Sequence, residues 1–336
     1  MGIKNLSSII TTHAPNSITK KTFKDLIGKI VAIDAAIQIY AYVIALRNNA
    51  EDIKNIHGES TSHIHAVVSK ALLLMDNGIT PIYVFDGKPP ALKYNTLDKR
   101  REVRETAKKE MDEMDELGED DIERKTKLFK KSTVITWKQM EQCKEVLRAM
   151  GIKVIDAPEE SDSQCAYLTK ELFAYGVGSE DMDILTFGAK KLLRNISSSK
   201  KNEIIEYDLS KILEELKYTQ QEFIDLCILL GCDYVEHIDG IGPKKAKDII
   251  DEYRSIDNFL LKSADVKSGK YSIDEDYLES VQEARDYFLN GPAEVFTTNQ
   301  LKLDPINQRK LKDLLINKYS YSKTKVDKII QKIINS

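Results

Sequence analysis

Acidic residues in this chain stand repeatedly at the end of an apolar run, and that placement restricts the folds open to it. Lys29-Ile30-Val31-Ala32-Ile33-Asp34 is a short β-branched run closed by an acid, and Ile82-Tyr83-Val84-Phe85-Asp86 repeats the arrangement. Runs of this kind read as buried strands. Helical periodicity follows the first over residues 35–47, with Ile37, Tyr40 and Ile44 spaced along it, and a second helix is expected over 62–75. Gly78 and Pro81 punctuate the approach to the second strand. Strands alternating with helices predict a parallel sheet, whose sites collect at the carboxyl ends of the strands. One Asp there is explained as a helix cap; two favour a shared site.

The stretch 158–183 carries two more acidic pairs. Glu160 and Asp162 precede an apolar, helix-like run over 165–173, while Asp181 and Asp183 run directly into Ile184-Leu185-Thr186-Phe187. Carboxylates held against buried segments are costly to desolvate unless something positive compensates them. Each pair alone also fits an ordinary solvated helix start, because the helix dipole favours acids in a first turn. Further strands are expected at 152–155, 175–179, 184–187 and 204–207, with a polar turn at 197–202. Helices are expected at 137–150, 209–216, 221–230 and 244–253, and the tail after Gly291 reads as Lys-rich and helical.

From Lys93 the composition shifts. Lys99, Arg100, Arg101, Arg104, Lys108 and Lys109 precede an acidic block at 110–123 and a second basic group at 124–131. A solvated helical hairpin is the usual answer for such charge runs. This one leaves the sheet at a strand-end Asp, so it starts from the rim of the suspected site.

A chain of 336 residues, 42% hydrophobic and 31% charged, can bury a large core and reads as soluble and globular. No apolar run approaches the roughly 20 residues of a membrane span. Cys143, Cys165, Cys227 and Cys232 form no CxxC pair, so buried free thiols in a reducing compartment are expected and zinc is not. The formal net charge of −4 argues at first against a nucleic-acid partner, but the distribution of charge matters more than its sum.

Taken together, Asp34, Asp86, Glu160, Asp162, Asp181, Asp183 and Asp233 are too many carboxylates to converge on one sheet edge without cations. Hard oxygen donors without His or Cys favour Mg²⁺ or Mn²⁺. Two such ions suit in-line phosphodiester hydrolysis. Gly240-Ile241-Gly242-Pro243-Lys244-Lys245 allows two readings: a plain turn between helices, or a helix N-terminus offering backbone N–H groups and lysines to a phosphate. Its closeness to Asp233 favours the second, a sequence-independent grip on DNA. Tyr40 suits either the core or a stacked base. Lys93 and Arg100, two helical turns apart, share a face fit to hold a phosphate.

The motifs MGIKNL, VAIDA, YVFDGKPP, LKYNTLDKR, DAPEESDSQCA, SEDMDILTFG, LCILLGCDY and GIGPKKA, in this order, resemble the flap endonucleases of the structure-specific 5′-nuclease superfamily across nearly the whole chain. The resemblance implies a PIN-like α/β fold: a mixed, largely parallel sheet between helices, a helical arch and a helix–hairpin DNA-binding element. It implies one nuclease domain over 1–336, with an N-terminal region (1–95), an arch (96–132), an internal region with the hairpin (133–260) and a C-terminal helical segment (261–336). The implied activity is cleavage of 5′ DNA flaps, with 5′–3′ exonuclease activity, in Okazaki fragment maturation and long-patch base excision repair. By resemblance the seven carboxylates hold two Mg²⁺ ions, for which Mn²⁺ substitutes, and Lys93 and Arg100 contact the scissile phosphate. Gly2 lies near the active site, Tyr40 stacks and Arg47 wedges the template. Thr61 lies by a pocket for a one-nucleotide 3′ flap, and Gly240, Gly242, Lys244 and Lys245 form the hairpin, where a K⁺ ion is typical.

Three departures stand out. Asp162 replaces the family's usual Glu, and Ile56 and His57 replace acids of the loop that walls off longer 3′ flaps. The C-terminal peptide that usually binds the sliding clamp is absent from the sequence given. The implied partners are flapped or nicked duplex DNA, with no membrane, and the implied state is a monomer, nuclear in a eukaryotic source. The competing readings are a 5′–3′ exonuclease or junction-resolving relative, and a non-catalytic DNA-structure binder.

Overall fold

The apolar runs ending in Asp34 and Asp86 lie side by side at the middle of a sheet. The computed structural model describes residues 2–47, 53–117, 121–196 and 203–335, with 46 and 47 described by backbone alone. Among them, seven strands form one sheet: β1 (Ile18–Lys21), β2 (Ile30–Asp34), β3 (Thr80–Phe85), β4 (Lys153–Asp156), β5 (Gly176–Gly178), β6 (Lys191–Arg194) and β7 (Ile204–Asp208). Their spatial order is β1-β7-β6-β5-β2-β3-β4. The pairs β2–β3, β2–β5, β3–β4 and β5–β6 are parallel, whereas β7 runs antiparallel to both β6 and β1. The sheet is thus mixed and largely parallel, as the sequence predicts.

Helix α1 (Leu6–His13) precedes β1, and α2 (Ala35–Arg47) and α3 (Ser62–Asp76) link β2 to β3. Between β3 and β4 run α4 (Tyr94–Glu116), α5 (Ile122–Ser132) and α6 (Trp137–Ala149). Helix α7 (Ser161–Lys170) leads to β5, and α8 (Asp183–Thr186) to β6. After β7 come α9 (Leu209–Leu216), α10 (Gln220–Leu230), α11 (Pro243–Tyr253), α12 (Tyr277–Asn290), α13 (Gln308–Lys312) and α14 (Lys323–Asn335), besides shorter turns.

Side chains alternate across a strand, so a sheet covered on both faces must be apolar at every position. Ala32, Ile82 and Val84 enter one core with α1, α7 and α9 to α12. Val31, Ile33, Tyr83 and Phe85 enter the other, with α2, α3, α6 and the C-terminal helices. The charged excursion is the hairpin α4–α5. It keeps a small core of its own, Ala107, Met114 and Leu128 with Met111 beside them.

Two expectations need correction. Residues 184–186 lie in helix α8, with Phe187 as its C-cap residue, and not in a strand: the Asp183 N–H bonds back to the Asp181 carboxylate and Phe187 N–H closes on the Asp183 carbonyl, winding the segment. The helix expected over 165–173 begins earlier, at Ser161 with Glu160 as its N-cap residue, and ends at Lys170, because Leu172 takes a left-handed conformation. The polar turn expected at 197–202 lies outside the described residues. Among the described residues no helix is long and apolar enough to cross a membrane.

Candidate active site

Parallel strands place their carboxyl ends on one edge, and the acids collect there. Asp34 closes β2 and is buried; Asp86 follows β3 and is exposed at the rim. Glu160 and Asp162 start α7, Asp181 and Asp183 follow β5, and Asp233 lies just beyond α10. Local hydrogen bonds fix several of them. Ser179 Oγ donates to Asp34 at 2.9 Å, and Ser161 N–H donates to Asp86 at 2.9 Å. The Asp183 N–H donates to Asp181 at 3.0 Å, and Ile3 N–H reaches Asp183 at 2.7 Å.

Burial raises the Asp34 carboxyl to about 7, and the neighbouring Asp86 and Asp181 add to the effect. Asp162 is pushed well above the ordinary range by burial and by Asp34, Asp181 and Glu160; its Oδ1 is sealed from solvent and has no hydrogen-bond partner. Asp183 rises in the same way through burial, Asp181 and Asp233. Six of the seven carboxylates are thereby linked through mutual repulsion, and Asp233 enters through Asp183.

The arch closes over this cluster. Lys93 pairs with Glu160 and lies 3.2 Å from Asp233, while a single Arg100 guanidinium nitrogen donates to both Asp233 oxygens, at 2.6 and 2.9 Å. Burial alone would lower the Lys93 ammonium, but Glu160, Asp233 and Asp162 together raise it. Thr96 Oγ1 donates to the Asp233 carbonyl at 2.8 Å, tying α4 to the same point. Tyr234, whose hydroxyl donates to Glu160, is not among the residues expected from sequence; its one signal is that it follows Asp233 directly. With these cationic and hydroxyl partners in place, no three His, Cys, Asp or Glu among the described residues are grouped to hold a single ion.

Gly2 stands against the cluster with φ +85°, where a Cβ would fall 1.8 Å from Asp181 Oδ1. Tyr40 is half-buried on α2 and donates to the Lys130 carbonyl of the arch at 2.6 Å; with Arg100, Arg104 and Lys131 it lines a cavity of about 460 Å³. Thr61, by contrast, is buried and gives its hydroxyl to the Ile53 carbonyl, so it shapes the loop before α3 and presents no hydroxyl outward. The Arg47 side chain lies outside the described residues. Gly240 takes φ +84° and Gly242 caps α11, leaving Lys244 exposed, with Lys245 over the Tyr271 ring at 4.5 Å. This turn belongs to the α10–α11 unit.

The family model of the XPG N-terminal domain matches residues 1–107, and that of the XPG I-region matches residues 151–233. Flap endonuclease 1 of Nematostella vectensis is 38% identical over 335 residues, 99% of this chain and 87% of that protein. Flap endonuclease 1 of Theileria annulata is also 38% identical, over 99% of this chain, which spans 64% of that relative's length. Among solved structures, flap endonuclease-1 from Methanococcus jannaschii has 28% identity and a TM-score of 0.72, covering 99% of this chain and 98% of that one. The catalytic core of Rad2 in complex with DNA substrate, at 22% identity and TM-score 0.74 over 99% of this chain and 100% of that one, shares the fold. On these matches, and with the acids of the N-terminal and I-regions on one sheet edge, the chain belongs to the flap endonuclease family.

Proposed function

We propose that this chain is a structure-specific endonuclease that cuts 5′ flaps of DNA by divalent-cation-dependent phosphodiester hydrolysis. The observation that carries the reading is the seven-carboxylate cluster with two arch cations, Lys93 and Arg100, already at its mouth. The donor set fits hard divalent cations. It is all oxygen, its buried members repel one another, and Asp162 Oδ1 is a sealed acceptor without a donor. Asp34, Asp86, Glu160, Asp162, Asp181, Asp183 and Asp233 would hold Mg²⁺, or Mn²⁺ in its place. When bound, such ions neutralise charge that builds on a phosphoryl group during displacement.

The chain's own residues do the rest. Lys93 and Arg100 share one face of the arch base and would bind the scissile phosphate, where fixed cations count most as negative charge grows. Ser179, Ser161 and the Ile3 N–H keep the acids oriented. Tyr40 and the basic cavity beside it would receive a nucleotide next to the cut, the ring stacking on its base. The turn at Gly240 and Gly242, with Lys244 and Lys245, would hold the duplex through its phosphates, with K⁺ on its carbonyls.

A double-flap DNA incubated with Mg²⁺ tests this: one incision near the junction is expected. Asp181→Ala should abolish cutting while binding survives. No incision, or cutting that ignores the junction, would refute the proposal. A nicked duplex degraded faster than a flap would favour the exonuclease reading.

A further inference from the structure

The chain's single tryptophan stands on the surface. Trp137 is the first residue of α6, its backbone fixed by a capping box between Thr136 and Gln139, and it is 77% exposed. It lines a groove of about 500 Å³ that follows one side of α6 from Trp137 to Arg148 and is walled opposite by Lys310 and Lys318. The eleven helical steps from Trp137 to Arg148 give the groove a length of about 16 Å. Through Lys310 it continues into a second hollow of about 560 Å³ that holds Arg309 and Lys312.

We propose that this groove binds a single-stranded nucleic-acid segment, one base stacked on Trp137 and the phosphates on Lys138, Lys310, Lys318 and Arg309. Charge points to the occupant: six basic side chains face four acidic ones along the two hollows, Arg148 and Lys312 among the six being paired with Asp156 and Asp327 outside the lining, in a chain whose net charge is −4. Lys310 and Lys318 share one carboxylate, Glu145, at 3.2 and 3.3 Å. Lys138 and Arg309 have no ion pair among the described residues. The aromatic ring selects single strands, since a base can stack on a side chain only when it is free of its duplex neighbours. Helix α6 turns directly into β4 and so runs antiparallel to it, which puts the Trp137 end of the groove at the carboxyl edge of the sheet. The site goes beyond the proposed function, because none of its residues touches the carboxylate cluster.

Intrinsic fluorescence tests it, because the only tryptophan is the one in the groove. In EDTA, which prevents cutting, an oligothymidylate of about 12 nucleotides should quench the emission saturably, the midpoint rising steeply with salt. Lys310→Gln with Lys318→Gln should weaken the quench about 10-fold. Trp137→Ala, followed by anisotropy of a labelled strand, should lose affinity by a similar factor, since one stacked base contributes on that scale. Absence of quenching, or quenching indifferent to the lysine changes, overturns the proposal. So does equal quenching by a blunt duplex of the same length, or by polyglutamate. Flap incision is read on the same preparations: a quench without incision supports the groove and counts against the nuclease reading alone.

Discussion

Replacing Gly2 with Ala asks whether the N-terminus positions the carboxylates or merely lies beside them. A Cβ there would sit 1.8 Å from Asp181 Oδ1 and 2.5 Å from Asp183 Oδ1, where real contacts stay above 3.0 Å. The difference, 3.0 less 1.8, requires a shift of at least 1.2 Å. The φ of +85° adds about 1–2 kcal/mol for an L-residue. The clash is relieved in one of two ways. Either Asp181 moves, or the N-terminus swings out and breaks the 2.7 Å bond from Ile3 N–H to Asp183, a charge-assisted bond contributing about 1.5–3 kcal/mol. Both routes displace an acid of the cluster, and a misplacement of about 1 Å costs on the order of 100-fold in rate. Single-turnover incision of a saturating flap substrate should therefore fall about 100-fold, while the melting temperature drops by only a few degrees and DNA binding in EDTA holds. A Gly2→Ala protein that cuts at the wild-type rate would refute the claim that this close approach sets the geometry of Asp181 and Asp183.

Gly87→Ala should destabilise the fold by about 1–3 kcal/mol and also slow incision, since its Cβ would meet the Ala157 carbonyl at 2.1 Å and the Pro158 carbonyl at 2.7 Å in the segment leading to Glu160; a thermal melt and an incision assay, both unchanged, would contradict it. Asp162→Glu should keep incision within about 10-fold, the longer arm restoring the reach usual in the family at an overpacking cost of about 1–3 kcal/mol; a folded but inactive variant under both Mg²⁺ and Mn²⁺ would show that the site is built around the shorter acid. Arg285→Met strands Asp225, whose carboxylate takes two bonds from Arg285 at 2.6 and 2.7 Å in the core, and should cost about 3–5 kcal/mol in a denaturant melt. Adding Asp225→Leu should recover most of that loss; a single-variant loss below about 1 kcal/mol would mean that the pair is already solvated.

The central strands were legible because burial on both faces leaves an unbroken β-branched run, as in Ile30 to Asp34. The two-helix excursion was legible for the opposite reason, a long stretch with few large apolar residues. Residues 184–187 were not: four apolar residues fit a strand or a buried helix turn equally, and the backbone bonds at Asp183 decide it only in three dimensions. Strands β1 and β6 escaped notice because Ile18-Thr19-Lys20-Lys21 and Lys191-Leu192-Leu193-Arg194 are short and half polar, defined by their pairing with β7. The acids themselves could be picked from their positions after apolar runs. Their partners could not, because nothing local to Tyr234, Ser179 or Ile3 announces a bond to a residue far away in the chain.

Those long-range bonds bear on how the proposed function would operate. Lys93 serves Glu160 and Asp233 at once, and Arg100 is committed to Asp233, so the cations assigned to the phosphate are the ones that neutralise the acids. Divalent ions bound by the carboxylates would take over that neutralisation and free both side chains for a phosphate. Bound phosphate, by drawing Lys93 and Arg100 off the acids, would in turn raise their affinity for cations. Thermodynamic linkage makes the two effects equal. Removing either basic side chain should therefore weaken not only the grip on the substrate but also the extent to which substrate and divalent cation strengthen each other's binding.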